Sequence, residues 1–268
     1  MARVRSPLRY PGGKSRAATR ILKLLPPGIA EYREPFLGGG SVFLAVKQAH
    51  PDTIQLFQLS DLYAELICFW RSARDANAEL CQAIRSLRAR FPHGRALHQH
   101  LRSTQPNDEI GRAVRFFILN RISFSGATEA GGYSQHAFEQ RFTPSSLARL
   151  QQLPPLLRGV RICAEDYERA LFATGEDVFL FLDPPYHSTQ HSRLYGARGA
   201  LHPQFDHERF ADRMRQCPHR WLITYDDSSY IRHLFRFAEI TSWSMPYGMN
   251  NVNGRRAARG AELFIRNY

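Results

Sequence analysis

Three short runs carry residue types that do chemistry when a fold brings them together. The first is Leu182-Asp183-Pro184-Pro185-Tyr186, directly after the most hydrophobic stretch of the chain. Two consecutive prolines end a strand, remove two backbone donors and leave carbonyls that accept hydrogen bonds; an acid and an aromatic ring flank them. So rigid a group can hold a flat, amino-bearing ring. A plain Asp-Pro turn accounts for the prolines, but not for the acid and tyrosine together at the carboxyl edge of a parallel sheet, where ligands bind. The second run is Glu34-Pro35-Phe36-Leu37-Gly38-Gly39-Gly40. Its glycines let the backbone approach a ligand closely and turn onto a helix N-terminus, as in nucleoside sites. Phe43 occupies the last glycine position of the Gly-x-Gly-x-x-Gly fingerprint, so a plain strand-to-helix turn stays open as an alternative. Asp61, about twenty positions on at the end of the next strand pattern, is placed to bind ribose hydroxyls. The third run, Tyr10-Pro11-Gly12-Gly13-Lys14-Ser15, misses the phosphate-loop pattern because Leu8 stands where that loop needs glycine. What remains is a tight turn delivering Tyr10 and Lys14 to a helix start.

These runs need a sheet to position them. Short apolar runs bounded by turn or acidic residues predict strands over 31–36, 53–60, 159–163, 177–182, 220–225, 237–243 and 261–267. Helical patterns lie between most of them, at 15–25, 41–49, 206–216 and 228–234. The alternation predicts an α/β fold with a mostly parallel sheet covered on both faces. No helix-length pattern separates Trp243 from Ala261, so the last two strands are expected to pair antiparallel. Residues 62–146 interrupt the alternation with helical segments, clearest at 62–89 and 109–122, and a glycine-rich piece from Ser125 to Tyr133. This reads as an inserted, mostly helical domain.

The chain has 268 residues, enough for a sizeable core, and a formal charge of +12. Only Lys14, Lys23 and Lys47 are lysines among its 36 basic residues, and the rest are arginine. Arginine's planar fork suits phosphates and base edges, so a polyanion is the expected partner; a basic loop, Arg255-Arg256-Ala257-Ala258-Arg259, lies near the end. Cys68, Cys81, Cys163 and Cys217 form no Cys-x-x-Cys pair and are expected to be free thiols in a reducing compartment. The 11 histidines, among them His98, His100, His202 and His207, show no second cluster at ligand spacing, so no metal site is expected. No stretch approaches the roughly 18 apolar residues of a membrane span. A cytoplasmic protein is the expectation.

The order Tyr10 to Lys14, Glu34 to Gly40, Asp61, then Asp183 to Tyr186 resembles the Dam-type DNA adenine-N6 methyltransferases of the D12 class (alpha group). The segment Leu119-Asn120-Arg121-Ile122-Ser123-Phe124-Ser125-Gly126, the run Cys163 to Tyr167 and the terminal Glu262 to Tyr268 match the family's pattern too, so the resemblance spans nearly the whole chain. It implies a Rossmann-like, S-adenosylmethionine-dependent methyltransferase domain formed by 1–61 and 147–268, with 62–146 as an inserted target-recognition domain. It implies S-adenosylmethionine as methyl donor and S-adenosylhomocysteine as product. Tyr10 and Lys14 would contact the donor, with Lys14 near its carboxylate. Glu34, Gly38, Gly39 and Gly40 would shape the methionine end, Asp61 would take the ribose hydroxyls, and Asp166, followed by Tyr167, would address the adenine. Asp183 and the Pro184 carbonyl would bind the target amino group, with Asp183 also bordering the donor, and Tyr186 would stack on the base flipped out of duplex DNA.

Arg121, Tyr133, Gln135 and Arg141 are the candidate DNA contacts, with Arg suited to guanine and Gln to adenine edges. The stretch from Ala127 to Arg141 departs from hairpins suited to GATC sites, so that sequence is not implied. A partner restriction endonuclease, action on N4 of cytosine, and DNA binding without catalysis stand beside the main reading.

Overall fold

The computed structural model describes residues 3–10, 12–128, 131–189, 205–246 and 259–268. The basic loop residues Arg255 and Arg256, with His202, lie outside them. Seven strands form one sheet: β1 (Glu31–Glu34), β2 (Leu56–Asp61), β3 (Arg161–Ala164), β4 (Val178–Leu182), β5 (Arg220–Asp226), β6 (Glu239–Pro246) and β7 (Arg259–Arg266). Their order is β3-β2-β1-β4-β5-β7-β6. The first five are parallel, and β7 runs antiparallel between β5 and β6. The expected antiparallel end therefore forms, with the last strand slotted inside rather than added at the edge. Every residue of β4 is buried, as a continuous apolar run requires of a central parallel strand.

The helices are α1 (Ala18–Lys23), α2 (Ser41–Ala49), α3 (Ala64–Asp75), α4 (Asn77–Arg90), α5 (Gly94–Ser103), α6 (Glu109–Ile122), α7 (Gln135–Gln140), α8 (Pro144–Gln151), α9 (Pro154–Leu157), α10 (Tyr167–Phe172), α11 (His207–Gln216) and α12 (Ser229–Leu234). The helical pattern over 62–89 is two helices broken at Ala76, whose φ of −136° and ψ of 40° are non-helical. The first of them, α3, packs against β2 and β3 like the crossover helices of the sheet. Trp70 on α3, Phe117 on α6 and Tyr32 on β1 belong to one continuous apolar core. The apolar interior of residues 62–146 is thus continuous with that of the sheet.

Arg33 ties β1 to α10. It is 1% exposed; its Nε donates to Glu31 at 2.6 Å, and its guanidinium donates to the carbonyls of Ala170, Ala173 and Thr174 at 2.8, 2.8 and 2.9 Å. These carbonyls end α10, where no intrahelical donor remains. Arg33→Met would leave Glu31 and three carbonyls without that partner, and a loss of roughly 3–5 kcal/mol is expected. Urea unfolding followed by circular dichroism measures it.

Candidate active site

The strand order reverses between β1 and β4, and the crevice beyond the carboxyl ends at such a switch point is where open α/β sheets bind ligands. Glu34 ends β1, Asp61 ends β2 and Asp183 follows β4, so three acids from distant parts of the chain converge on one edge. Asp166 lies two residues beyond β3 on the same edge, where it caps α10 by accepting from the Glu168 amide at 2.9 Å.

Asp183 is the best-braced of these acids. Its Oδ1 accepts from Lys14 Nζ at 2.9 Å and from Thr224 Oγ1 at 2.7 Å. Both donors fall on Oδ1. Lys14 is 4% exposed; its ammonium also donates to the Gly12 carbonyl at 2.8 Å and lies 4.7 Å from the centroid of the Tyr186 ring. The resemblance implies Lys14 near the donor's carboxylate; in the fold its ammonium lies with Asp183 and Tyr186. Pro184 is buried beside them.

The glycine turn is shaped by close approach. Gly38 and Gly40 have φ of +46° and +61°. A Cβ at Gly38 or Gly39 would come within 2.9 Å of Tyr10, and one at Gly40 within 2.7 Å of Trp70, so only glycine fits between these rings. Tyr10 therefore walls the turn as well as preceding Lys14. Asp61 accepts from the amides of Gly38 and Tyr63, both at 3.0 Å, and from that of Leu62. Burial lifts its carboxyl to about 6 despite those donors. Glu34, 2% exposed, is lifted to about 8, mainly by burial and further by the charge of Asp183, although the Tyr32 hydroxyl donates to it at 2.5 Å. The Glu34 and Asp61 carboxyls can both exchange hydrogen bonds with a polar ligand, and the glycine turn lets it approach the backbone, a lining that fits S-adenosylmethionine.

The DNA candidates separate. Arg121 is a correction: it is 3% exposed, and its guanidinium donates to the Pro7 carbonyl at 3.0 Å and to the Arg141 carbonyl. Burial and neighbouring arginines lower its pKa to about 9. A helix position facing the core explains the difference. Gln135 and the Arg141 side chain are exposed, and Tyr133 is half-buried with its hydroxyl donating to Gln135. Sequence reasoning passed over Phe124, which is 69% exposed beside Ser125 at φ 54°. It also passed over Arg9, whose amide and carbonyl are held by Asn120 at 2.8 and 2.7 Å. Thr224 was missed as well, a polar residue in an apolar strand and the only signal for it. Among the described residues the four cysteines are free, no acid and histidine group could hold a metal, and no helix is long and apolar enough to cross a membrane.

A mostly parallel sheet with a reversed seventh strand and a glycine turn beside acids at its carboxyl edge is an α/β architecture of the nucleoside-binding kind. Residues 10–249 match the D12 class N6 adenine-specific DNA methyltransferases, and the chain belongs to that family. It is 23% identical over 275 residues to the type II methyltransferase M.CviBI of Paramecium bursaria Chlorella virus NC1A, covering 97% of this chain and 98% of the relative. It is 25% identical over 259 residues to a DNA adenine methylase of Vibrio cholerae, covering 90% and 88%. It is 24% identical over 193 residues to that of Escherichia coli K12, covering 69% and 66%. Among solved structures, the rRNA methyltransferase AviRa of Streptomyces viridochromogenes overlays at a TM-score of 0.42 with 13% identity, covering 94% of this chain and 84% of that one. The enzyme is thus an adenine-specific DNA methyltransferase, and membership selects adenine N6 over cytosine N4.

The raised acids give a pH signature. A carboxyl whose folded pKa exceeds its unfolded one contributes stability that is full below the unfolded value and lost as pH rises through the folded value. For Glu34 that window runs from 4.5 to about 8, and for Asp61 from 3.8 to about 6. The ligand-free enzyme should lose stability across pH 4–8 through these groups. Glu34→Gln should melt above wild type at pH 9 and close to it at pH 4, while binding S-adenosylmethionine more weakly; scanning fluorimetry and calorimetry read the two effects.

Proposed function

We propose that the enzyme turns an adenine out of duplex DNA into a pocket made by Asp183, Pro184 and Tyr186, and methylates it with S-adenosylmethionine held on Tyr10, Glu34, Gly38 to Gly40, Asp61 and Asp166. The observation that carries this reading is the double anchoring of Asp183 Oδ1 by Lys14 and Thr224, beside the Tyr186 ring. When bound, S-adenosylmethionine supplies a methyl group activated on positively charged sulfur. The amino nitrogen of adenine is a poor nucleophile because its lone pair is delocalised into the ring. Asp183 Oδ2 and the Pro184 carbonyl accept its two hydrogens and favour a pyramidal nitrogen whose lone pair is directed outward. As the bond from N6 to the methyl forms and that from sulfur to the methyl breaks, the Asp183 carboxylate faces the positive charge that develops on N6, and the surplus N6 proton leaves through Asp183 Oδ2 to solvent. Unstacking the base costs a few kcal/mol, and stacking on Tyr186, worth roughly 1–3 kcal/mol, offsets it.

Residues 62–146, with α3 doubling as sheet cover, carry the target-recognition surface. Exposed Arg95, Gln135 and Arg141 supply polar contacts there, and exposed Phe124 offers an apolar face to bases. S-adenosylhomocysteine is the second product. DNA as substrate supports a cytoplasmic, nucleoid-associated enzyme, and the type II names of relatives support a restriction–modification setting with a partner endonuclease.

Asp183→Ala should abolish methyl transfer to adenine-unmethylated plasmid DNA while leaving DNA affinity within about two-fold; a filter assay with tritiated donor and a gel-shift titration check both. Nucleoside analysis of the wild-type product should show N6-methyladenine, and N4-methylcytosine would overturn the reading. Arg141→Ala should weaken DNA binding across sequences and reduce the salt slope by about 1, whereas Gln135→Ala should relax the methylated consensus, read by sequencing modified sites.

A further inference from the structure

We propose that Glu262 is a positioning residue for methyl transfer, acting through the hydroxyl of Tyr186; this rests on the reading that Tyr186 stacks on the target adenine. Glu262 lies on the reversed strand β7, opposite Asp226 of β5. It is 1% exposed, and its Oε2 accepts from the Tyr186 hydroxyl at 3.2 Å. The Tyr186 ring is stacked on Tyr225, with centroids 5.9 Å apart and planes at 29°. Asp226 accepts from the amides of His187 and Ser188 at 2.9 and 3.2 Å, which fixes the backbone immediately after the tyrosine.

The ring is therefore held by its backbone, by one face and by its far end. Backbone and face restrain a tyrosine to a region. A bond at the para hydroxyl also removes in-plane sliding and tilt, the freedoms that decide whether a stacked base presents its amino group to Asp183. Small misplacements of a reacting group are costly in rate. A buried carboxyl is an expensive residue to place directly before the apolar run Leu263-Phe264-Ile265 of β7, and its Oε2 accepts from the one polar atom of the stacking ring. Strand β7 thus has a task in the chemistry beyond closing the sheet: it carries the acceptor that orients the base platform.

The test is a double-mutant cycle measured on the full chain with adenine-unmethylated plasmid DNA of mixed sequence and tritiated S-adenosylmethionine. Glu262→Ala and Tyr186→Phe should each lower kcat on the order of ten-fold with the KM for the donor unchanged, the size expected for one hydrogen bond. The double variant should be no slower than either single one. Glu262→Gln, whose amide oxygen still accepts, should stay within about three-fold of wild type. Wild-type turnover in Tyr186→Phe, losses that multiply in the double variant, or a Glu262→Gln loss as large as that of alanine would overturn the proposal. Should Glu262→Ala fail to fold, Tyr186→Phe and Glu262→Gln decide. Retained transfer in Asp183→Ala would instead sink the underlying site reading, an outcome these variants do not mimic.

Discussion

An ammonium buried at 4% exposure must be paired or it is lost to water, and Lys14 finds its partner at Asp183, 2.9 Å away. That requirement reaches across the molecule. Lys14 belongs to the first turn of the chain and Asp183 to the end of the central strand, so the pair pins the N-terminal segment over the sheet's carboxyl edge. The segment is pinned a second time by Asn120, which holds both the amide and carbonyl of Arg9 and also donates to Gly126 at 3.1 Å. Gly126 has no room for a side chain there, since a Cβ would come within 2.2 Å of the Arg9 carbonyl. One short N-terminal stretch is thus the mechanical link between the Asp183 pocket and the loop that follows α6.

The same edge gathers opposing demands. Glu34 is buried, which favours its protonated form, and half-buried Asp61 is raised by the same cause while it accepts from the Gly38 amide. The stacked Phe36 and Tyr167 rings, 5.5 Å apart, flank this region and join the glycine turn to the start of α10. Arg33 anchors the other end of that helix, so the position of Asp166 is set from both sides.

Much of this was legible in residue order. Strand positions, the two-sided cover and the antiparallel ending follow from apolar runs separated by helical patterns, because a central parallel strand must be apolar throughout and a helix must show a face. The Asp183 to Tyr186 and Glu34 to Gly40 runs announced themselves through proline and glycine, whose backbone limits are local. Arg121 was misread because its chemistry is the same whether it faces DNA or a carbonyl; only the helix phase buries it. That α3 packs on β2 and β3 as well as on α6 was not legible, since nothing in its own sequence distinguishes the two kinds of neighbour.

Residue order by itself determined the kind of sheet, the edge where acids and glycines collect, and the excess of twelve positive charges suited to a polyanion. These depend on backbone propensity, hydrophobic periodicity and charge, which act within a few residues or on the whole composition. Tertiary structure alone decided that Lys14 and Thr224 share one oxygen of Asp183, that Glu262 reaches the Tyr186 hydroxyl, and that Arg121 is interior. Those contacts join residues tens to hundreds of positions apart, and a hydrogen bond depends on distances of tenths of an ångström that only the packed core sets.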